Sequence, residues 1–356
     1  MKAVVLAVPG ELATATGGYV YDRRMLSELE ALDWRVDVVG LGEGFPHPTP
    51  PVHATACARL VGLPRGPAIV VDGLAFGVLP QAGQMLRDTH ALVALVHHPL
   101  ALESGLSPAR AAELRASERS ALAAARHVIA TSEATARLLA ADYGVAADRL
   151  SVVKPGTDRV VPRRVPPLPH DEARPKERPA VLLAVGAVVP RKGYDLLVAA
   201  VARLRDLPWR LVIAGDRGRS PRTAQRLAEE IARLKLADRV SLRGAVTADE
   251  LAELYLTADL FVLPSRFEGY GMAYAEAIAH GLPVVGTRAG AIPETVPRTA
   301  GLLVPPEDVP ALTAALRHLL EDAPARARLA AGARAAVFPT WREQAMLFAR
   351  VLERLG

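Results

Sequence analysis

Short runs of Val, Leu, Ile and Ala alternate along the chain with longer segments in which apolar residues recur at helical spacing. The runs are almost continuously apolar, which is typical of parallel strands buried on both faces. They predict two sets of six strands with helices between them. The first set is Ala3–Val8, Val36–Leu41, Ala68–Val71, Leu92–Val96, Val128–Ala130 and Leu150–Val153. The second set is Ala180–Val185, Arg210–Ala214, Val240–Leu242, Leu260–Leu263, Pro283–Val285 and Gly301–Val304.

This pattern predicts an α/β protein of two doubly wound, Rossmann-like domains, residues 1–160 and residues 180–338. Residues 161–179 between them are rich in proline and charge, cannot build a core, and are predicted to form a semi-rigid linker. An amphipathic pattern after Pro339 predicts a last helix within residues 339–356.

Length and composition agree with two globular domains. A chain of 356 residues is too long for one ordinary core, and 51% hydrophobic with 23% charged residues is typical of folded proteins. The net charge is +5, but the basic residues are dispersed and aromatic residues make up only 4%, so we expect no nucleic-acid partner.

Three further features narrow the class of protein. Cys57 is the only cysteine, which excludes an intrachain disulfide and a Cys-rich metal site. The first apolar run ends at Pro9 and Gly10, too early for a typical export signal. No stretch of about 18 apolar residues is present, so we expect no membrane span and a cytoplasmic location.

The strongest candidate chemistry lies in the segment Leu263–Glu294. In open α/β sheets, ligands bind beyond the carboxyl ends of the strands. Here a strand is predicted to end before a glycine-rich turn that holds Glu268, and Glu276 follows eight positions later in a helix that begins near Met272. Each glutamate also has a plain structural reading, in which Glu268 is a solvated loop residue and Glu276 offsets the helix dipole.

The start of that helix offers backbone donors. The N–H groups of Gly271, Met272 and Ala273 are predicted to lie at its positive end, which suits an anionic or hydroxyl-rich ligand. A carboxylate such as Glu276 can accept hydrogen bonds from two adjacent sugar hydroxyls.

A second candidate segment is Leu183–Leu197, where a strand is followed by a loop and a helix. Arg191 and Lys192 stand at the junction of loop and helix, and two cations at a helix start form a natural diphosphate site. The alternative is that both are solvated loop cations.

The first half of the chain carries weaker marks. Gly17 and Gly18 follow the first predicted strand and precede a helix, although a glycine pair in a turn is common. His97 and His98 end a buried strand, where a histidine can face a ligand or serve only in packing.

The segment with Glu268 and Glu276 resembles the E-x7-E signature of the family 4 retaining glycosyltransferases, whose GT-B fold has two Rossmann-like domains facing across a cleft. The resemblance implies that Glu268 lies beside the donor sugar and that Glu276 holds the ribose hydroxyls. It also implies that the amides of Gly271–Ala273 help to bind sugar and phosphate. In the GT-B fold the C-terminal helix often packs back on the first domain, and we expect the same of residues 339–356.

Other positions match that family in part. Gly186, Pro190, Lys192 and Gly193 match its phosphate-binding segment, but Ala187 stands where relatives have an arginine, so we expect Arg191 or another arginine to compensate. The resemblance places Gly17 and Gly18 near the donor phosphates and acceptor, and His97 near the sugar, with His98 as a neighbour. Lys154 replaces an asparagine of the pattern, and Asp158 is assigned a hinge or capping role.

The resemblance implies a retaining transferase that takes a sugar from a nucleoside-diphosphate sugar, by family precedent a UDP-sugar, and passes it to an acceptor. We expect that acceptor to be a soluble small molecule or oligosaccharide. No Asp-x-Asp triplet occurs, so we expect no metal and no other cofactor, with Lys192, Arg191 and helix amides facing the leaving diphosphate. The expected catalytic residues are His97, Lys192 and Glu268. The expected donor-binding residues are Gly17, Gly18, Arg191, Lys192, Glu268, Gly271, Met272, Ala273 and Glu276.

Two alternatives remain open at this stage. A nucleotide-sugar epimerase on the same fold would bind a diphosphate but need no acceptor. A non-catalytic sugar-nucleotide-binding protein would fit the loss of the usual arginine at Ala187. A nicotinamide dehydrogenase fits poorly, because no Gly-x-Gly-x-x-Gly follows the first strand of either domain.

Overall fold

The computed structural model describes residues 2–13, 16–158 and 178–355. The chain divides into two compact units, one of Met1–Gly156 with Pro339–Gly356 and the other of Thr157–Phe338. The predicted linker, residues 161–179, lies outside the described residues except for its last two positions.

The first unit contains a parallel sheet of six strands in the order β2-β1-β3-β4-β5-β6. The strands are β1 Ala3–Val8, β2 Arg35–Gly40, β3 Ala68–Asp72, β4 Leu92–Val96, β5 His127–Ala130 and β6 Leu150–Val152. Its helices before residue 157 are α1 Gly17–Glu30, α2 Pro50–Val61, α3 Gly73–Phe76, α4 Pro80–Leu86, α5 Pro108–Ala124 and α6 Glu133–Tyr143.

The second unit repeats this architecture with the order β12-β11-β10-β7-β8-β9, again all parallel. The strands are β7 Ala180–Val185, β8 Trp209–Ala214, β9 Val240–Gly244, β10 Leu260–Val262, β11 Val284–Thr287 and β12 Gly301–Val304. The helices are α7 Tyr194–Val201, α8 Pro221–Arg233, α9 Ala248–Thr257, α10 Met272–Ala279, α11 Ile292–Thr295, α12 Val309–Glu321 and α13 Ala323–Ala335. The two sheets confirm the predicted doubly wound α/β architecture.

Burial explains why the apolar runs predicted strands so well. Every residue of β3 and β4 is buried, because helices cover both faces of the sheet there. The edge strand β2 differs: Arg35, Asp37 and Val38 are exposed, and this strand was recognisable only from its valines.

The last helix, α14 Trp341–Glu353, belongs to the first unit and packs against α1. Thr340 caps it reciprocally with Glu343, and its buried face includes Trp341 and Phe348. The side-chain carbonyl of Gln344 accepts a hydrogen bond from the backbone N–H of Lys154 at 2.8 Å, which ties the helix to the segment after β6. None of the helices in the described ranges is both long and apolar enough to cross a membrane.

The strand orders identify where ligands bind in such sheets. The direction of winding reverses between β1 and β3 in the first unit and between β7 and β10 in the second. Loops that leave the carboxyl ends of two such strands separate to opposite faces and open a crevice. Chemistry is therefore expected on the loops after β1 and β3, and on the loops after β7 and β10.

Candidate functional site

The loop after β10 folds so that Glu268 points inward. The strand ends at Val262, and the chain reaches α10 through Gly271, whose φ of +92° is a left-handed conformation that glycine adopts without strain. The predicted helix start at Met272 is confirmed. Met272 and Ala273 form the first turn of α10 and are half-buried. Glu268 is only 6% exposed, so its reading as a solvated loop residue is wrong.

The loop after β7 lies directly against this turn. Residues Pro190–Lys192 form one 3-10 turn, and Gly193, with a φ of +68°, is the N-cap of α7. A side chain at Gly193 would overlap the carbonyl of Pro264, so glycine is needed for the two loops to touch. The backbone N–H of Arg266 donates to the carbonyl of Arg191 at 2.8 Å, which joins the loops.

Glu268 is held between two cations. One oxygen accepts from Arg191 at 2.9 Å, and the other accepts from Lys192 Nζ at 2.7 Å and from the hydroxyl of Ser265 at 2.7 Å. Arg191 and Lys192 have side chains only 15% and 13% exposed, so neither is a solvated loop cation. We call Glu268, Arg191, Lys192 and Ser265 the cationic cluster.

The electrostatics of this cluster favour an anion. Burial raises the pKa of Glu268, but the charges of Lys192 and Arg191 outweigh it and lower that pKa to about 2. The carboxylate is therefore ionised at neutral pH, and two positive charges against one negative charge leave an excess of one. A buried positive excess beside the first turn of α10 suits a diphosphate.

Glu276 lies on the second turn of α10, where it accepts a hydrogen bond from the hydroxyl of Tyr255 at 2.9 Å. The first turn of α10 contains no acidic residue, so offsetting the helix dipole does not explain Glu276. Burial raises the pKa of Glu276, the Tyr255 hydrogen bond lowers it, and the charge of Asp158 raises it. His280 stacks on Tyr255 with ring centroids 4.7 Å apart, which fixes the phenol.

In the first unit, His97 follows β4 directly, at the same sheet edge where Asp72 ends β3. His97 Nε2 lies 3.3 Å from a carboxylate oxygen of Asp72 and 3.3 Å from one of Asp22, which stands on α1. We call these three residues the acidic cluster. Gly17 is the exposed first residue of α1, and a Cβ added at Gly18 would lie 3.3 Å from the His97 ring.

His97 was predicted from the sequence as a site residue, whereas Asp22 and Asp72 were not. Two signals were present. Asp72 ends the apolar run of β3 at the edge where ligands bind, and Asp22 interrupts the apolar stripe of α1 three positions before Met25. His98, the other histidine of the pair, lies 3.4 Å from Glu103 rather than in the acidic cluster.

The acidic cluster is also the one group of at least three His, Cys, Asp or Glu residues in the described ranges whose ligand atoms are close enough to share an ion. Among the described residues, no comparable group of possible metal ligands includes side chains around Arg191 and Lys192.

Ala187 and Lys154, which depart from the family pattern, and Asp158, which was assigned a hinge or capping role, have ordinary surroundings. The carbonyl of Ala187 accepts from the N–H of Val189 at 2.9 Å, within the turn after β7. The ammonium of Lys154 lies 3.9 Å from Glu133, and Asp158 is exposed.

Two family models match the chain. The model described as glycosyl transferases group 1 matches residues 179–322, and the model described as Glycosyltransferase Family 4 matches residues 16–161. The first covers both loops of the cationic cluster, and the second covers all three residues of the acidic cluster.

Individual proteins agree with these matches. The MMP α-(1→4)-mannosyltransferase of Mycolicibacterium hassiacum is 31% identical over 300 residues, covering 78% of this chain and 68% of the relative. The D-inositol 3-phosphate glycosyltransferase of Kineococcus radiotolerans is 36% identical over 238 residues. That match covers 62% of this chain and 54% of the relative, so the chain spans about half of its length.

Similarity to solved structures covers the whole chain. Anabaena HepE, solved in complex with UDP and glucose, superposes with a TM-score of 0.75 over 99% of this chain and 100% of that one, at 19% identity. This likeness confirms the predicted GT-B fold.

Proposed function

The chain belongs to the family 4 glycosyltransferases, and on that premise we propose that it transfers a sugar from a nucleoside-diphosphate sugar to an acceptor hydroxyl. The observation that carries the proposal is the cationic cluster. Glu268 is clamped between Arg191 and Lys192 beyond the carboxyl ends of β7 and β10, at the point where the sheet order reverses.

The proposed reaction breaks the bond between the anomeric carbon and the diphosphate oxygen, and forms a bond from that carbon to the acceptor oxygen. The acceptor proton passes to the departing diphosphate oxygen. Lys192, Arg191 and the amides of Gly271–Ala273 stabilise the charge that develops on the diphosphate. Glu276 accepts hydrogen bonds from the ribose hydroxyls, with Tyr255 holding its carboxylate.

Retention of anomeric configuration is part of the proposal, with Glu268 as an orienting residue. A carboxylate with three hydrogen-bond donors and a lowered pKa is a weak nucleophile, because its lone pairs are already engaged. These contacts favour a role for Glu268 in aligning the cations and the donor sugar over a covalent sugar–enzyme intermediate.

We propose that no metal ion assists the leaving group. Two cations and a helix start lie at the proposed diphosphate site, and in this proposal they supply the charge stabilisation that a divalent ion would otherwise give. The nucleotide is proposed to be a uridine diphosphate, and the bound UDP of HepE supports this assignment.

The acceptor is proposed to be a soluble, hydroxyl-rich small molecule or oligosaccharide. One relative, 36% identical over the matched region, is named a D-inositol 3-phosphate glycosyltransferase. The compound in that name is a small, hydroxyl-rich molecule, which supports this proposal.

The test is an incubation of the purified protein with a panel of UDP-, GDP- and ADP-sugars, each with and without a mixture of cyclitols, cyclitol phosphates and oligosaccharides. Every combination is run both without EDTA and with EDTA. Mass spectrometry follows the released diphosphate and the glycosylated product. The proposal expects product only when both donor and acceptor are present, and no loss of rate with EDTA. Conversion of a donor into its isomer without acceptor would identify an epimerase, and binding without turnover under all conditions would identify a binding protein.

A further inference from the structure

The acidic cluster places one imidazole between two carboxylates. The Asp22 side chain is fully buried and that of Asp72 is 4% exposed, whereas His97 is 19% exposed. Both carboxylates face the same ring nitrogen, Nε2, at 3.3 Å. The three residues come from α1, β3 and the end of β4, so the fold itself brings them together.

The two carboxylates are held differently. Asp72 Oδ1 accepts from the backbone N–H of Leu74 at 2.6 Å, where Asp72 caps α3, and this contact orients the carboxylate so that its other oxygen, Oδ2, faces the ring. In the described ranges, neither oxygen of Asp22 makes a hydrogen bond of standard geometry. The imidazole is therefore the nearest group that compensates the charge of Asp22, and an uncompensated buried carboxylate is costly.

The imidazole is fixed from two further sides. Tyr21 packs edge-on against it, with ring centroids 5.2 Å apart and an angle of 77°, and the Tyr21 hydroxyl donates to the carbonyl of Val153 at 3.1 Å. Gly18 lies against the ring edge that carries Cδ2. With Nε2 turned to the carboxylates, Nδ1 is the ring nitrogen that can meet a ligand.

Charge then decides the protonation of the ring. Burial lowers the pKa of His97, but the nearby carboxylates of Asp22 and Asp72 outweigh burial, and that pKa rises well above its ordinary value. Burial raises the pKa of Asp22, and the charge of Asp72 adds to this increase, while His97 opposes it. A proton that the cluster gains on acidification therefore goes to Asp22, because both nitrogens of the imidazolium are already protonated.

We propose that Asp22 and Asp72 are positioning residues that keep His97 an imidazolium at neutral pH, with Nδ1–H as a permanent donor to a substrate oxygen. This proposal rests on the proposed function only for the identity of that oxygen. An imidazolium cannot remove the proton of the acceptor hydroxyl. His97 is thereby assigned to binding and charge stabilisation, and this agrees with transfer of the acceptor proton to the diphosphate.

Nitrogen NMR of the intact protein tests the charge directly and requires no turnover. Histidine side chains labelled with 15N are followed from pH 5.5 to 9, and His97 is assigned with His97→Gln. We expect both ring nitrogens of His97 to keep imidazolium shifts up to pH 8. His127 is the internal control, because burial lowers its pKa and it lies at the amino end of β5, so it should stay neutral above pH 7 in every variant.

Two isosteric variants identify the cause. Asp72→Asn and Asp22→Asn each remove one charge at 3.3 Å, so each should move the His97 titration down by about 1–3 pH units. The double variant should bring that titration to about 6.5 or lower. If kcat can be measured, its pH profile should move with the NMR titration in each variant, a shift that a purely structural role would not produce.

The wild-type spectrum alone can overturn the proposal, even if every variant fails to fold. A neutral His97 ring at pH 7, or a wild-type His97 titration between pH 6 and 7, would contradict it. Metal analysis of the same sample provides a second test. A stoichiometric divalent ion bound to a neutral His97 would contradict the proposal and make the acidic cluster a metal site. Failure of the transferase assay leaves all of these readouts intact.

Discussion

Each unit has a cluster of charged side chains at the carboxyl ends of its strands, and the two clusters have opposite arrangements of charge. In the second unit one carboxylate, Glu268, lies between the two cations Arg191 and Lys192. In the first unit one ring, His97, lies between the two carboxylates Asp22 and Asp72. With every group ionised, the cationic cluster carries an excess positive charge and the acidic cluster an excess negative charge.

The sign of this excess charge determines which cluster can bind a phosphate. A diphosphate adds negative charge, which the cationic cluster attracts and the acidic cluster repels. The acidic cluster suits a neutral ligand oxygen, such as a sugar hydroxyl, that receives a hydrogen bond from a charged donor. Two similar sheets thus carry clusters that suit different ligand groups. This assignment can be tested by changing residues of either cluster.

Removal of one cation from the cationic cluster should reduce activity more than any other change. Lys192→Ala should lower kcat/KM by about 10²–10³-fold, because it deletes one donor aimed at the leaving diphosphate. Arg210→Ala is the matched control, since Arg210 is an exposed cation near the amino end of β8. Steady-state kinetics on both variants checks the prediction. Equal rates for Lys192→Ala and wild type would remove Lys192 from the mechanism.

The same cluster should make the protein sensitive to acid. The folded state lowers the pKa of Glu268 from 4.5 to about 2, so its stabilisation is fully present above pH 4.5 and is lost as the pH falls toward 2. A pKa shift of that size corresponds to about 3 kcal/mol in the free energy of unfolding.

Urea denaturation at pH 7, 4 and 3 measures this loss, with Glu268→Gln as the control that has no charge to protonate. The stability difference between wild type and Glu268→Gln should shrink toward acid. An unchanged difference would show that the ion pairs do not contribute. The acidic cluster should behave oppositely, because the stabilisation from the raised pKa of His97 is present below pH 6.5 and is lost toward alkaline pH.

An intermediate effect is expected when the carboxylate is neutralised. Glu268→Gln keeps the shape of the side chain but leaves Arg191 and Lys192 with their full charge. The affinity for free nucleoside diphosphate should rise about tenfold, or about 1.4 kcal/mol, while kcat falls. Isothermal titration with UDP provides the measurement. Weaker UDP binding in this variant would mean that Glu268 organises the site more than it neutralises it.

A tenfold effect is also expected when the support of Glu276 is removed. Tyr255→Phe removes a hydrogen bond to a carboxylate, a contact worth about 1.5 kcal/mol at the low end, so the donor KM should rise about tenfold with little change in kcat. Tyr143→Phe in the first unit is a control with the same chemical change. A fall in kcat without a change in KM would place Glu276 at the reacting carbon instead of at the ribose.

The sequence was sufficient for the elements and for selecting Arg191, Lys192 and Glu268, but not Ser265, as candidate residues of the cationic cluster. Parallel strands buried on both faces leave continuous apolar runs, and the spacing of Glu268 and Glu276 across a glycine turn is a local signal. The pairing of Glu268 with Lys192 joins residues 76 positions apart. The acidic cluster was missed because its three residues come from three elements, and their approach depends on the order of the strands.

The diphosphate site is tested most directly by hydrogen–deuterium exchange with saturating UDP, and with ADP and GDP in parallel. We expect one of these diphosphates to protect residues 186–193 and 264–276 in wild type, and Lys192→Ala to abolish this protection. Protection confined to residues 17–22 and 72–76, or protection of 186–193 and 264–276 that survives Lys192→Ala, would show that the cationic cluster does not bind the diphosphate.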